Sequence, residues 1–329
     1  MKKILLLVWL LLTSFNAILF AQNWEVNTIR TDIVGAWSRA ADFDQDGDPD
    51  ILVQAGDSIL WYENLRPGWV EHLIDPTFEN STFGYVDVVD VDGDGDMDVV
   101  KVPSTLGDGT DELTWNENID GGSSWEKHFI ATMTATAGWF QNAFGDLDGD
   151  GDLDISVAEF NLAAPTSQGS LYWLEQTPGG WTKHPLKSSS HWISSIADLD
   201  GDGDLDIMAS WNSVFWLENK LPMNDWTEHF VASSVDVGFL GTCADLTGDG
   251  LSDIISAPSE SNGGLVFFKN PTWNEITINP AYGLYLGPAG DLDGDGDLDM
   301  TYGGAGFGFT LPLGWSENQN NGATWTLHD

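Results

Sequence analysis

The sequence predicts an all-β fold, a β-propeller of six four-stranded blades. Three observations predict it. A nine-residue acidic string recurs six times, about fifty residues apart. Each copy is flanked by the same short segments, rich in β-branched and aromatic residues and bounded by Gly, Pro, Asn or Asp. No stretch keeps a helical period over three turns.

The string is Asp-x-Asp-x-Asp-Gly-x-x-Asp. It begins at Asp42, Asp90, Asp146, Asp198 and Asp291, with a sixth copy from Asp245 that carries Thr247 third and Leu251 seventh. The starts are 48, 56, 52, 47 and 46 residues apart. Before each copy lies a stretch of small residues, such as GAWSRAAD or HWISSIAD. After it come an apolar run (DILVQA, DISVAE), an aromatic strand (LWYEN, VFWLEN) and a Trp-led strand (WVEHLI, WTEHFV). The unit is four strands with an acidic loop between the first and second. Radial repetition of such units protects sheet edges, which is the propeller solution.

An aspartate loop at that place in a four-stranded repeat resembles the FG-GAP/VCBS repeat family, of the secreted bacterial type. These are calcium-loop propellers that include the integrin alpha-chain head. The resemblance spans nearly all of residues 22–329, and the Phe-Gly signature stands as Phe83-Gly84. It implies a calcium-binding propeller serving adhesion, ligand binding or an accessory role. Similar propellers also occur in or beside polysaccharide lyases, so a carbohydrate-active enzyme is the alternative.

Six loops give six blades, yet two segments compete to close the ring. Asn23–Ile29 matches the Trp-led fourth strand without a blade before it, and Trp325–His328 matches it at the other end. A seventh blade, in a longer protein of which this chain is a fragment, is the alternative count.

The ends and the charge bound the rest. Lys2 and Lys3 precede an apolar run from Ile4 to Leu12, and Ala21 offers a small-residue cleavage site. Residues 1–21 therefore read as a signal peptide, and 22–329 as a secreted or cell-surface propeller. Nothing after it is apolar enough to span a bilayer, and a monomer is expected. A net charge of −41 repels phosphate backbones and argues against nucleic acid. With 42% hydrophobic residues the chain has too much apolar surface for a disordered acidic tail. The single cysteine, Cys243, permits no intrachain disulfide and reads as a buried small hydrophobe.

The six loops hold 28 of the 52 acids, so the charge is gathered at repeated points. Position one is Asp42, Asp90, Asp146, Asp198, Asp245 and Asp291. Position three is Asp44, Asp92, Asp148, Asp200, Thr247 and Asp293. Position five is Asp46, Asp94, Asp150, Asp202, Asp249 and Asp295. Position seven is Asp48, Asp96, Asp152, Asp204, Leu251 and Asp297. Position nine is Asp50, Asp98, Asp154, Asp206, Asp253 and Asp299. Carboxylates so crowded repel one another without a cation. Calcium, a hard ion taking six to eight oxygens, suits them better than magnesium, with its tighter octahedron. Zinc would need His or Cys, absent from the loops. The spacing matches the first nine positions of an EF-hand loop, with position seven binding through its carbonyl and Gly at six for the turn. Position twelve is no Glu here (Val53, Lys101, Val157, Ala209, Ser256, Tyr302), so this is not an EF-hand. About six calcium ions are expected, the fifth site weakest. They would replace the missing disulfides as staples.

Candidate chemistry elsewhere is sparse. His72, His128, His184, His229 and His328 recur on the Trp-led strands, a pattern expected of packing. His191 stands apart. No Gly-x-Ser-x-Gly elbow, phosphate loop or His-Glu-x-x-His helix occurs. The expected catalytic set is empty. Aromatic and polar residues preceding the loops, namely Trp37, Arg39, Tyr85, Phe140, Trp192, Phe239 and Tyr285, are candidates for a glycan or extracellular protein ligand at the channel mouth. The competing reading packs these rings between blades.

Overall fold

The computed structural model describes residues 28–30, 35–77, 85–103, 111–133, 138–161, 169–188, 192–210, 213–222, 225–233, 240–257, 264–279, 286–306 and 309–328. Val34–Asp329 form one unit, and a second unit is Met1–Ile33. The expected signal peptide and the strand-like segment around Trp24 lie outside the described residues.

Six antiparallel meanders follow one another in a six-bladed β-propeller. Blade one is β1 (Gly35–Ala41), β2 (Asp50–Ala55), β3 (Ser58–Asn64) and β4 (Trp69–Asp75). Blade two is β5 (Tyr85–Val89), β6 (Asp98–Val102), β7 (Asp111–Asn118) and β8 (Trp125–Met133). Blade three is β9 (Gly138–Gly145), β10 (Asp154–Asn161), β11 (Gly169–Thr177) and β12 (Gly180–Ser188). Blade four is β13 (Trp192–Ala197), β14 (Asp206–Ser210), β15 (Ser213–Lys220) and β16 (Asp225–Ser233). Blade five is β17 (Leu240–Ala244), β18 (Asp253–Ala257), β19 (Leu265–Lys269) and β20 (Asn274–Asn279). Blade six is β21 (Leu286–Gly290), β22 (Asp299–Gly306), β23 (Phe309–Gln319) and β24 (Thr324–His328). The fourth place in blade six is thus filled by the C-terminal copy, β24, hydrogen-bonded to β23.

First strands of neighbouring blades meet, β1 with β5, β9 with β13, β13 with β17, and β17 with β21. Second and third strands supply most of the buried apolar side chains, as expected for sheets covered on both faces, and also buried polar groups such as Asp98, Asn116 and Ser156. Their side chains pack across the blade boundaries. Phe43, Leu52 and Trp61 of blade one meet Val86 and Val99 of blade two. Comparable clusters join blades two and three, three and four, four and five, and five and six. The Trp-led strands serve the same boundaries: Trp125 of blade two packs edge-on to Phe43 of blade one, at 5.9 Å.

The third and fourth strands lose register by one residue at the same place in five blades. A bulge turns one side chain toward the other face. In blade one it buries Ile74 while Leu73 stays exposed, and in blade two it buries Ile130 beside exposed Phe129. No helix among the described residues is long and apolar enough to cross a membrane.

Candidate metal centre

Each acidic loop runs from a first strand into a second and folds around its own carboxylates. The position-one aspartate accepts two backbone N–H groups. Asp146 takes that of Gly149 at 2.7 Å and that of Gly151 at 3.1 Å. Position three accepts from position five, as Asp148 does from Asp150 at 3.1 Å, and position five accepts from position seven, as Asp150 does from Asp152 at 2.9 Å. The chain can curl this tightly because position six has φ between +90° and +100° in all six copies, a region that glycine enters without a Cβ clash. Position four is left-handed too. It is Gly in five loops and Gln45 in the first.

Position nine does something the spacing alone does not reveal. Its carboxylate is buried and clamps the loop onto the third strand. Asp154 accepts the Leu147 N–H at 2.8 Å and the Gln176 N–H at 3.0 Å. The same two bonds recur at Asp50, Asp98, Asp206, Asp253 and Asp299. Position two, apolar in all six loops, supplies one of these N–H groups. In five blades its side chain also plugs the core, as Phe43, Val91, Leu147, Leu199 and Leu246. A large apolar residue inside an acidic string was the signal in the sequence.

Carboxylate oxygens converge in five of the six loops, within 4.8 Å of one another. The groups are Asp42, Asp44 and Asp50; Asp90, Asp92 and Asp94; Asp146, Asp148 and Asp154; Asp198, Asp200 and Asp206; and Asp291, Asp293 and Asp295. Positions one, three, five and nine thus all contribute somewhere. Position seven contributes to none, and three of its side chains turn to other partners: Asp48 to Arg66 at 2.8 Å, Asp96 to Gln45, and Asp204 to the Leu221 N–H at 2.9 Å. In the fifth loop Asp245, Asp249 and Asp253 form no such group among the described residues.

Crowding is visible in the protonation equilibria. Burial, aided by the charges at positions three and five, pushes Asp98 and Asp206 up to about 7, and Asp154 to about 6, against the pull of their N–H donors. Burial likewise raises the position-three groups Asp44, Asp92, Asp148, Asp200 and Asp293, with the loop aspartates and a third-strand glutamate adding to the effect. In the fifth loop Asp249 goes the other way. Desolvation raises it, but the Leu251 N–H, Lys269 and Thr247 outweigh that and leave it below its ordinary value.

Those glutamates belong to a second repeated unit. His72, His128, His184, His229 and His328 lie face to face on Trp61, Trp115, Trp173, Trp216 and Trp315, with ring centroids 4.3–4.6 Å apart. Each Nε2 meets a glutamate two residues beyond that Trp: Glu63, Glu117, Glu175, Glu218 or Glu317, at 2.5–2.7 Å. These histidines are fixed by packing, as their repetition suggested.

The candidate ligand residues are placed differently from one another. Trp37, Phe140 and Trp192 lie on β1, β9 and β13, all first strands. Arg39 is held by Asp87 of blade two at 2.9 Å and by the Ser38 carbonyl at 3.1 Å. Tyr85 packs against the cluster between blades two and three, and its hydroxyl accepts the Asn142 N–H at 2.9 Å. Phe239 and Tyr285, like His191, lie outside the described residues. Cys243 packs at the boundary of blades four and five, where burial pushes its thiol up to about 12.

Residues 29–101 and 245–301 match the FG-GAP-like repeat. These segments carry the first, second, fifth and sixth loops. No curated protein matches the chain. Among solved structures, a lectin of Agrocybe aegerita that recognises non-reducing terminal N-acetylglucosamine is similar at a TM-score of 0.60 and 16% identity, over 89% of this chain and 79% of that one. The Aleuria aurantia lectin, described as a six-bladed propeller with a fucose recognition mode, is similar at 0.52 and 15%, over 89% and 94%. A variant of AofleA from Arthrobotrys oligospora is similar at 0.52 and 13%, over 89% of both chains. At these identities the likeness is one of fold.

Proposed function

We propose that this is a secreted, calcium-loaded propeller that binds a glycan and performs no catalysis. The observation that carries the metal assignment is the convergence of three carboxylates in each of five loops. Their donors are hard oxygens only, in sets that burial and mutual repulsion leave short of positive charge, which fits calcium. Positions one, three, five and nine would hold the ion, with the position-seven carbonyl completing the set. Bound calcium supplies positive charge that lets the carboxylates stay ionised, and so fastens first, second and third strands together.

The glycan reading is supported by the fold shared with two propeller lectins and by aromatic residues on the first strands. An extracellular protein ligand fits the same surface chemistry. The enzyme alternative has less to work with. Five of the six histidines are stacked and hydrogen-bonded to glutamate, and Arg39 and Arg66 are paired with Asp87 and Asp48. A glycan array in millimolar calcium, repeated after chelation, tests the reading. Selective binding that fades with chelation is expected. Turnover of a polysaccharide by the purified chain would overturn the non-catalytic assignment.

A further inference from the structure

We infer that the fifth loop takes no metal ion, because the ammonium of Lys269 stands in for one. The inference rests on the calcium reading for the other five loops.

In five blades the third strand places a glutamate two residues after its inner aromatic residue: Glu63, Glu117, Glu175, Glu218 and Glu317. At that position blade five has Lys269, whose Nζ lies 3.4 Å from Asp249 Oδ2. The loop itself has lost two acids, at Thr247 and Leu251. Each of the other loops has five aspartates and a glutamate, −5 − 1 = −6. The fifth has three aspartates and a lysine, −3 + 1 = −2. The attraction for a divalent cation is therefore much reduced, and a fixed positive charge already meets the position-five carboxylate.

The rest of the blade agrees. A histidine is needed on the fourth strand only where there is a glutamate for it to hold. Blade five has Ile276 there, paired in register with Phe267 in place of the Trp. Trp, Glu and His have been replaced together by Phe267, Lys269 and Ile276. The remaining aspartates keep backbone duties that need no ion. Asp245 accepts the Gly250 N–H at 2.8 Å, and Asp253 clamps Leu246 and Asn270 at 3.1 and 2.9 Å. The loop keeps its shape through these bonds, and Lys269 supplies the counter-charge.

The test is the ion count on the full chain, stripped of metal, titrated with calcium and read by native mass spectrometry and calorimetry. Five ions are expected. Asp249→Asn should leave the count at five, whereas Asp150→Asn in the third loop should lower it to four. The double change Thr247→Asp with Lys269→Glu should raise it to six, with circular dichroism confirming the fold. Six ions on the unaltered chain, or a fall to four in Asp249→Asn, would overturn the inference while leaving the calcium reading intact. A folded double variant that still takes five would overturn the role given to Lys269 and Thr247. No ions at all would overturn the calcium reading itself and the inference with it.

Discussion

The side-chain amide of Asn118 donates to the Phe43 carbonyl at 2.8 Å, tying the third strand of blade two to the acidic loop of blade one. Asn219, Asn270 and Asn318 reach back in the same way to Leu147, Leu199 and Leu246. The accepting carbonyl belongs to position two, whose side chain is already in the core. Loss of the donor would leave that oxygen buried and unpaired, at a cost of about 1–3 kcal/mol. Asn219→Ala should therefore lower stability by that amount in urea denaturation with calcium present. A loss below about 0.5 kcal/mol would show that the latch carries no weight.

Aspartates within one loop should not be equivalent. Asp154 clamps Leu147 and Gln176 and joins a carboxylate cluster; Asp150 stands at position five, which joins the clusters of the second and sixth loops as Asp94 and Asp295, whereas Asp152 stands at position seven, which joins none in any loop. Asp154→Ala removes a ligand and orphans two N–H groups, so it should abolish the site and also destabilise the calcium-free protein. Asp152→Ala should change calcium affinity less than threefold. Asp150→Ala should abolish the site with less effect on the calcium-free fold, since its own hydrogen bond to Asp152 is exposed. Calorimetry and melting curves with and without calcium separate the three. Equal effects would contradict the division of roles.

Much of this was legible because the repeat is written six times. The Asp spacing, the Gly at position six and the four-strand unit all follow from comparing the copies with one another. That the outer-strand histidines pack was legible for the same reason. The partners of those side chains were not. That Asp50 and its equivalents clamp a third strand, or that Asn118 reaches blade one, depends on strand pairing and on contacts between segments far apart in the chain. Tyr85 shows the limit for lone residues: its place before a loop fits a ligand mouth equally well, and only packing puts it between blades. Lys269 was visible as a residue but not as a partner of Asp249, since they are joined only when the third strand folds back over the loop.

The raised carboxyls make a pH prediction with a definite sign. Asp98, Asp154 and Asp206 have folded-state values of about 6 to 7, above the unfolded value of 3.8. Between those limits the folded, calcium-free protein binds more protons than the unfolded chain, so its stability falls as pH rises. The contribution is fully present below 3.8 and is lost through pH 6–7. The net charge of −41 acts in the same direction by self-repulsion. Calcium competes with protons for the same oxygens, so its affinity should rise over that range. Melting temperatures at pH 5.5, 6.5 and 8.0 should fall with pH in calcium-free buffer, and the gain on adding calcium should widen. At tenfold the dissociation constant each occupied site adds roughly 1.4 kcal/mol. Calcium-free melting temperatures that climb from pH 5.5 to 8.0 would contradict this.

The glycan should bind near the first strands rather than on the Trp-led outer strands. The outer strands repeat almost unchanged, and Trp125, Trp181, Trp226 and Trp325 are taken up in the blade boundaries. First strands vary from blade to blade, and three of them break register: β1 between Gly35 and Ser38, β13 between Ile193 and Ser195, and β21 between Leu286 and Ala289. Bulges of this kind re-aim side chains and are frequent beside binding sites. Trp37 sits inside the first of these breaks and Trp192 next to the second. A pocket needs an apolar face for stacking and a few polar groups for orientation, and sequence variety near an aromatic residue supplies both. With the glycan identified on the array, Trp37→Ala and Trp192→Ala should each weaken binding at least tenfold, about 1.4 kcal/mol. The calcium-loaded melting temperature should stay within a few degrees of the parent, since neither residue is a loop ligand. Trp69→Ala, on the outer strand of blade one, should bind normally. If both inner variants bind as the parent does while a folded Trp69→Ala does not, the ligand sits on the rim and the first strands have no part in it.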